Sequence, residues 1–258
     1  MFHYKYNILD DITIENINNF NTILDAKNMY SLYFHNCNSL DMVNLEEFIN
    51  LERLYFSYCN DTNLPNLDKC INLQLLHCYN NSNLKELPSL TNCVKLIKLN
   101  IISNKITKFP DLSNCINLQY LSFENNNLSF TPSLNNIKYM SLLNNLVNLK
   151  ILNLSKNKLL LIPSLNNCTK LEYIYIYENK LTVLPDLKNL IQLKELHCSN
   201  NKLNINYLHL DILYKLYCNS FNYCHYKTNK YIYNNNITPL LNEYIKKYYY
   251  YYIINCLN

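Results

Sequence analysis

Apolar residues in this chain follow a rule that is neither helical nor simply alternating. Counted from the first Leu of a unit, the pattern reads LxxLxLxxNxLxxLPxLxxC. It recurs almost whole in LPSLTNCVKLIKLNIISNKI (87–106), FPDLSNCINLQYLSFENNNL (109–128) and IPSLNNCTKLEYIYIYENKL (162–181). Units begin at Met29, Leu51, Leu73, Leu96, Leu118, Leu149, Leu171 and Leu193, with a degraded one at Leu213 and a faint one at Leu9. From Met29 the steps are 22, 22, 23, 22, 31, 22, 22 and 20 residues. Self-similarity at a fixed short period predicts a stack of like units, each burying its apolar side against its neighbours.

The LxL end of the pattern has period two, so successive side chains face opposite ways, as in a short strand. In the unit at Leu96 this puts Leu99 and Ile101 inward and Lys98, Asn100 and Ile102 outward. Parallel copies stacked about 4.8 Å apart supply the core that one six-residue strand lacks. Nine such units make a spine of roughly 40 Å. The LPxL turn carries the chain back without needing a backbone donor at proline. Asn81, Asn104, Asn126, Asn157, Asn179 and Asn201 share one slot where strand becomes turn, and a stack of amides there can satisfy backbone groups that would otherwise be buried unpaired. Cys37 and Cys59 occupy that slot in the two early units, which predicts a different turn.

These residues, from about Met29 to Phe221, resemble the leucine-rich repeat family. The short unit with LPxL is similar to the repeats of bacterial surface and effector proteins. The Asn-rich, Cys-containing version is similar to leucine-rich repeat genes of AT-rich large DNA viruses, including insect poxviruses. The resemblance implies an α/β fold, a curved horseshoe solenoid with short parallel strands on its concave face. Turns and 3-10 or short helices are expected on its convex face. Residues 1–28 are expected to form an N-terminal cap, 29–221 about nine repeats, and 222–258 a C-terminal cap or tail with a helix over 239–254. Thr238 and Pro239 supply the N-cap and first-turn proline of that helix. The 31-residue step allows a short convex helix near 137–148, since Leu134, Ile137 and Met140 recur at helical spacing; a tolerated surface insertion is favoured over a functional protrusion as its explanation.

Composition narrows the chemistry. The 258 residues include no Gly, no Trp, one Ala and one Arg, so phosphate-cradling loops, dinucleotide turns and the nucleophile elbow are all missing. Asn is expected to serve wherever the backbone must turn left-handed. The net charge of +4 is too mild to argue for nucleic acid, and a soluble cytoplasmic monomer with no membrane association and no cofactor is expected. Nine of the 11 cysteines fall in repeat slots as small hydrophobes, and no CxxC pair occurs. Neighbouring slots such as Cys37 and Cys59 lie within disulfide range, but free thiols are expected inside a cell. His35, His77 and His197 stand too far apart in the stack to share a metal, and no paired carboxylates recur on one face, so no enzyme is expected.

The letters that vary between units are the outward strand positions, and these are rich in Tyr. Tyr33, His35, Tyr55, His77, Tyr79, Tyr120, Tyr173, Tyr175, Tyr177, Glu195, His197 and Tyr217 are the candidate contacts for a protein partner, with the Tyr173–Tyr175–Tyr177 row as the expected centre. Tyr offers a large rigid surface with one polar tip at modest entropic cost. The competing explanation is compositional: Tyr suits any exposed strand. The viral resemblance implies an adaptor or inhibitor of a host protein. A ubiquitin-ligase substrate receptor using the C-terminal helix, or a phosphatase regulatory subunit, are the alternatives.

Overall fold

The computed structural model describes residues 12–14, 26–38, 40, 43–130, 141–203 and 232–233. The chain divides into two compact units, Met1–Leu128 and Ser129–Asn258. In chain order the strands are β1 (Ile12–Ile14), β2 (Ser31–His35), β3 (Arg53–Ser57), β4 (Leu75–Tyr79), β5 (Lys98–Ile102), β6 (Tyr120–Ser122), β7 (Ser129–Phe130), β8 (Ile151–Asn153), β9 (Lys158–Leu159), β10 (Tyr173–Tyr175), β11 (Glu195–His197) and β12 (Ile232–Tyr233). Within the first unit β1 to β6 pair in sequence order, all parallel. Within the second, β8, β10, β11 and β12 do the same, while β7 and β9 form a separate parallel pair.

Register follows the repeat: Leu32, Leu54, Leu76, Leu99 and Leu121 stand opposite one another across β2 to β6, and none of them is exposed. Phe34 and Phe56 stack at 5.0 Å between centroids beneath the same strands. One residue of slip would carry all these side chains to the solvent face, so the Leu pattern itself fixes the register.

Each strand ends the same way. Asn36, Tyr58, Asn80, Ser103, Asn125, Lys156, Glu178 and Asn200 all have φ between 53° and 57°. Each directly precedes the Asn or Cys slot. The left-handed turn aims the backbone N–H of this residue at the next repeat, as in Tyr58 to the Tyr79 carbonyl at 3.1 Å and Glu178 to Ser199 at 2.9 Å. Asn fills four of the eight positions, as expected for a chain without Gly. Tyr58, Ser103, Lys156 and Glu178 adopt the conformation without that help, at a cost of about 1–2 kcal/mol each.

The slot amides then do what the repeat predicts. Asn104 Oδ1 accepts from the Asn81 backbone N–H at 2.9 Å and from Asn81 Nδ2 at 3.0 Å, while Asn104 Nδ2 donates to the carbonyls of Cys78 and Ile102. In the second unit Asn179 accepts from the Leu159 N–H at 3.0 Å and donates to Leu154, Ile176 and Tyr177. The different turn expected at the two early units is not found: Asn36 and Tyr58 take the same left-handed conformation as the other corners, and only the side chain filling the slot changes. Cys59 Sγ reaches the carbonyls of Phe34 and Ser57, the same two places that an Asn Nδ2 serves elsewhere. A thiol cannot also accept well, so the pattern there is a one-sided version of the ladder.

The return path is made of turns. In each repeat two i to i+3 hydrogen bonds share one residue, as in Cys70 N–H to Leu67 and Leu73 N–H to Cys70. The side chain after LP caps the first turn: Asn66, Asp111 and Asp186 accept from the backbone N–H two residues on. Among the described residues helical conformation is confined to a 3-10 turn, Ala26–Asn28, and to Leu40, also 3-10. Residues 141–145 of the insertion are also turn, with Asn144 N–H bonded to Ser141, and 131–140 lie outside the described residues. So do the expected helix over 239–254 and most of the expected N-terminal cap.

Cys37, Cys59, Cys70, Cys78, Cys93, Cys115, Cys168 and Cys198 are buried thiols outside any disulfide. Burial pushes the thiols of Cys59, Cys93 and Cys168 up to about 12 and those of Cys70 and Cys115 to about 11. They pack as small apolar groups, and a thiolate is disfavoured at every one of these five sites. Cys218, Cys224 and Cys256 lie outside the described residues.

Candidate binding face

Alternation along β2 to β5 leaves three outward side chains per strand, and neighbouring strands bring them into rows. In the first unit the rows converge on a cluster of six rings. Tyr33 lies 5.8 Å from both His35 and Tyr55, and Tyr55 lies 6.0 Å from His77. His77 lies 6.4 Å from Tyr79, Tyr79 lies 5.7 Å from Tyr58, and Tyr58 lies 5.6 Å from His35. Four of these contacts are edge-to-face, the arrangement the ring quadrupole favours. Five of the six residues were expected from the sequence.

Tyr58 was not. It sits one residue past β3, at the left-handed position, where strand alternation no longer says which way a side chain points. There it is 47 % exposed, and Tyr79 is 37 % exposed. The signal available in the sequence was the repeat itself: the residue before the slot is the same corner in every unit.

Small outward residues lock the rings. The Ser57 hydroxyl is buried and lies 2.8 Å from both the Tyr33 phenol and His35 Nδ1. A consistent assignment has Tyr33 donating to Ser57 and Ser57 donating to His35. Buried among these contacts, Ser57 holds the Tyr33 and His35 side chains in place. Burial lowers the His77 pKa to about 4, with Lys98 adding to the effect, so this ring is neutral at physiological pH. Beyond His77 the row shrinks to Asn100 and Ser122, both buried although they point outward. Lys98 Nζ lies 4.7 Å over the Tyr120 ring beside them, and burial lowers its pKa.

The second unit places Tyr173, Tyr175 and Tyr177 along one strand and its end, with Glu195 and His197 opposite Tyr173 and Tyr175. Tyr175 is 4.9 Å from His197, and its phenol donates to Glu195 Oε2 at 3.4 Å. His197 Nε2 is 3.3 Å from the same carboxylate. Burial lowers the His197 pKa while Glu195 opposes the shift. Lys194 sits over Tyr173 and Lys156 over Tyr177, at 5.8 and 5.6 Å. The expected row is therefore assembled, but as aromatic residues held among charges. Tyr217 lies outside the described residues.

Among the described residues no cluster of three or more His, Cys, Asp or Glu side chains is placed to hold a metal ion. No helix among them is long and apolar enough to cross a membrane.

No family model matches the sequence, and no curated protein does. Solved structures of leucine-rich repeat proteins are similar to it. An internalin (inlF) from Listeria monocytogenes aligns over 69 % of this chain and 63 % of its own, at 20 % identity and a TM-score of 0.46. The ectodomain of the plant receptor kinase GASSHO1/SCHENGEN3 from Arabidopsis thaliana aligns over 68 % of this chain and 22 % of its own, at 26 % identity and a TM-score of 0.52. Listeria monocytogenes InlP aligns over 71 % and 54 %, at 21 % and 0.50. This chain thus spans less than two thirds of each of them. Together with the parallel strands, the slot ladder and the turn-built return path, the likeness defines the fold as a leucine-rich repeat solenoid.

Proposed function

We propose that this chain is a non-catalytic interaction module that holds a partner protein on the outward face of its parallel strands. The observation that carries the reading is the six-ring cluster around Tyr55 and Tyr58. Its rings are locked from below by Ser57, mounted on a hydrogen-bonded sheet and still exposed at Tyr58 and Tyr79. Rigid aromatic residues whose ordering cost is met before binding are what interface centres are enriched in. The similar Arabidopsis ectodomain was solved in complex with CASPARIAN STRIP INTEGRITY FACTOR 2, which supports a binding role for this fold. Thiols filling the apolar slots suit a reducing compartment, which supports a cytoplasmic setting as part of this reading. Its resemblance to repeats of AT-rich large DNA viruses makes adaptor or inhibitor of a host protein the role proposed.

Affinity capture from cell lysate with mass-spectrometric identification tests this, using the wild type, Tyr55→Ser/Tyr79→Ser and Tyr173→Ser/Tyr175→Ser/Tyr177→Ser. Far-ultraviolet circular dichroism must match across all three. A partner retained by the wild type and lost by either variant is expected. A capture profile identical for all three would overturn the reading.

A further inference from the structure

One amide on the first unit's face is left without a partner. Asn100 is 6 % exposed, and its Oδ1 is buried with nothing donating to it. Neither end of this amide is hydrogen-bonded among the described residues, so turning it about χ2 only exchanges which end is unpaired. The row position does not demand this. Asn153, at the same place in its own repeat, accepts from the Ser155 N–H at 3.0 Å. The neighbours of Asn100 also have capacity to spare. His77, opposite it on β4, is a half-buried ring whose nitrogens make no hydrogen bond among the described residues. Ser122, opposite it on β6, is fully buried and accepts from the Glu124 N–H at 3.4 Å, which leaves its O–H to donate. Three consecutive strands thus line up an imidazole, a carboxamide and a hydroxyl at about 4.8 Å spacing.

We infer that the His77–Asn100–Ser122 row takes a primary carboxamide, the side chain of an Asn or Gln of the partner protein. A primary amide carries an N–H and a C=O on one edge, so it forms a reciprocal two-bond pair with the Asn100 amide. A backbone peptide group is trans, points its N–H and C=O to opposite sides, and cannot make that pair. Charge at the flanks argues for a neutral guest. Lys98 stands two residues before Asn100 and Glu124 two residues after Ser122, both on the outward side. A cation or an anion is attracted at one flank and repelled at the other, whereas a dipolar group meets neither repulsion. The rings of Tyr55 and Tyr79, 6.0 and 6.4 Å from His77, offer apolar surface to the stem of the guest side chain. Asn100 points away from the core, so side chains alone cover it, and these can turn aside without breaking the sheet. A buried acceptor without a donor destabilises the free protein, and a guest that supplies the donor removes that loss.

The inference rests on the binding-face reading, and one experiment separates the two. A library of random 12-residue peptides displayed on phage is selected on the immobilised full chain, and on Asn100→Leu, Asn100→Asp and Tyr55→Ser/Tyr79→Ser, all checked by circular dichroism. The expected wild-type selection shares one Asn or Gln, and that enrichment is lost on both Asn100 variants. Synthetic peptides from it should bind about 5- to 100-fold more weakly when the shared residue is replaced by Leu, and by a similar factor to Asn100→Leu. The urea midpoint of Asn100→Leu should equal or exceed that of the wild type, because the substitution removes an unpaired buried amide. A midpoint clearly below the wild type would overturn the inference, since the amide would then be satisfied within the fold. An Asn100-dependent selection that shares a residue other than Asn or Gln, or shares none, would overturn it too. Peptides that need the tyrosines but bind Asn100→Leu as well as the wild type would overturn it and leave the binding face standing. Peptides indifferent to every substitution, or none above background, would overturn both.

Discussion

Replacing Asn104 with Leu puts the ladder under direct test. The side chain is 4 % exposed and makes four hydrogen bonds, two as acceptor from Asn81 and two as donor to the carbonyls of Cys78 and Ile102. Leu has nearly the same shape and removes all four. Asn81 Nδ2 keeps its bond to the Phe56 carbonyl, so it is not orphaned. The Asn81 backbone N–H loses its slot acceptor, costing about 1–3 kcal/mol. The two carbonyls add a smaller penalty, because each has a second lone pair. Burying an extra apolar side chain returns about 1–2 kcal/mol. The expected net is a loss of about 1–3 kcal/mol. Urea unfolding followed by circular dichroism should show it, since at about 2 kcal/mol per molar such a loss moves the midpoint down by about 0.5–1.5 M. Asn114, whose amide reaches the Thr91 carbonyl from an exposed turn, is the control; Asn114→Leu should shift the midpoint by less than about 0.3 M. A midpoint for Asn104→Leu equal to the wild type, or a shift no larger than the control's, would refute the ladder argument.

The thiol sites predict behaviour at high pH. Because the folded-state pKa values of Cys59, Cys70, Cys93, Cys115 and Cys168 lie above the ordinary value, their contribution to stability is complete below about pH 9 and lost as pH rises toward 11–12; the urea midpoint should fall over that window, less steeply in Cys93→Ala relative to its own neutral value. Ellman's reagent at pH 8 should leave at least eight thiols unreacted in the native protein and find all eleven in urea. His77 has the opposite sign: its pKa is depressed to about 4, so its stability is present above pH 6.5 and lost as pH falls toward 4, and His77→Gln should flatten the profile there. At the left-handed corner, Glu178→Gly should raise stability by about 0.5–1 kcal/mol and Glu178→Val should lower it, read from urea midpoints.

Register, core and ladder were all legible in the sequence because each is set by residues that repeat. The Leu99 position is Leu or Ile throughout and the Asn104 slot is Asn in six units and Cys in the two early ones, because a side chain that must fit the same hole each time leaves nearly the same letter. The turn-built return side was legible in outline from LPxL, but its details were not. That Cys70 closes one turn and opens the next depends on backbone bonds that no spacing rule reports. The face was half legible. Alternation placed Tyr33, Tyr55 and Tyr79 outward, yet it gave Tyr58 no side and gave Ser57 no role. The burial of Asn100 and Ser122 was likewise hidden, because it follows from the size of neighbouring side chains and not from their own position. The expected centre at Tyr173, Tyr175 and Tyr177 shows the same limit. Sequence counts rings, whereas the geometry shows three rings flanked by Lys156, Lys194 and Glu195 in one unit and six rings touching each other in the other.

Site-directed photocrosslinking addresses the binding face most directly. A benzoylphenylalanine probe is placed at Tyr79, on the aromatic cluster, or at Lys69, an exposed residue of the return turn, and irradiated in lysate. The account predicts a discrete crosslinked species from the Tyr79 probe that disappears with Tyr55→Ser, and none from the Lys69 probe. The same species from both probes, or one from Lys69 alone, would contradict it and move the binding surface off the strands.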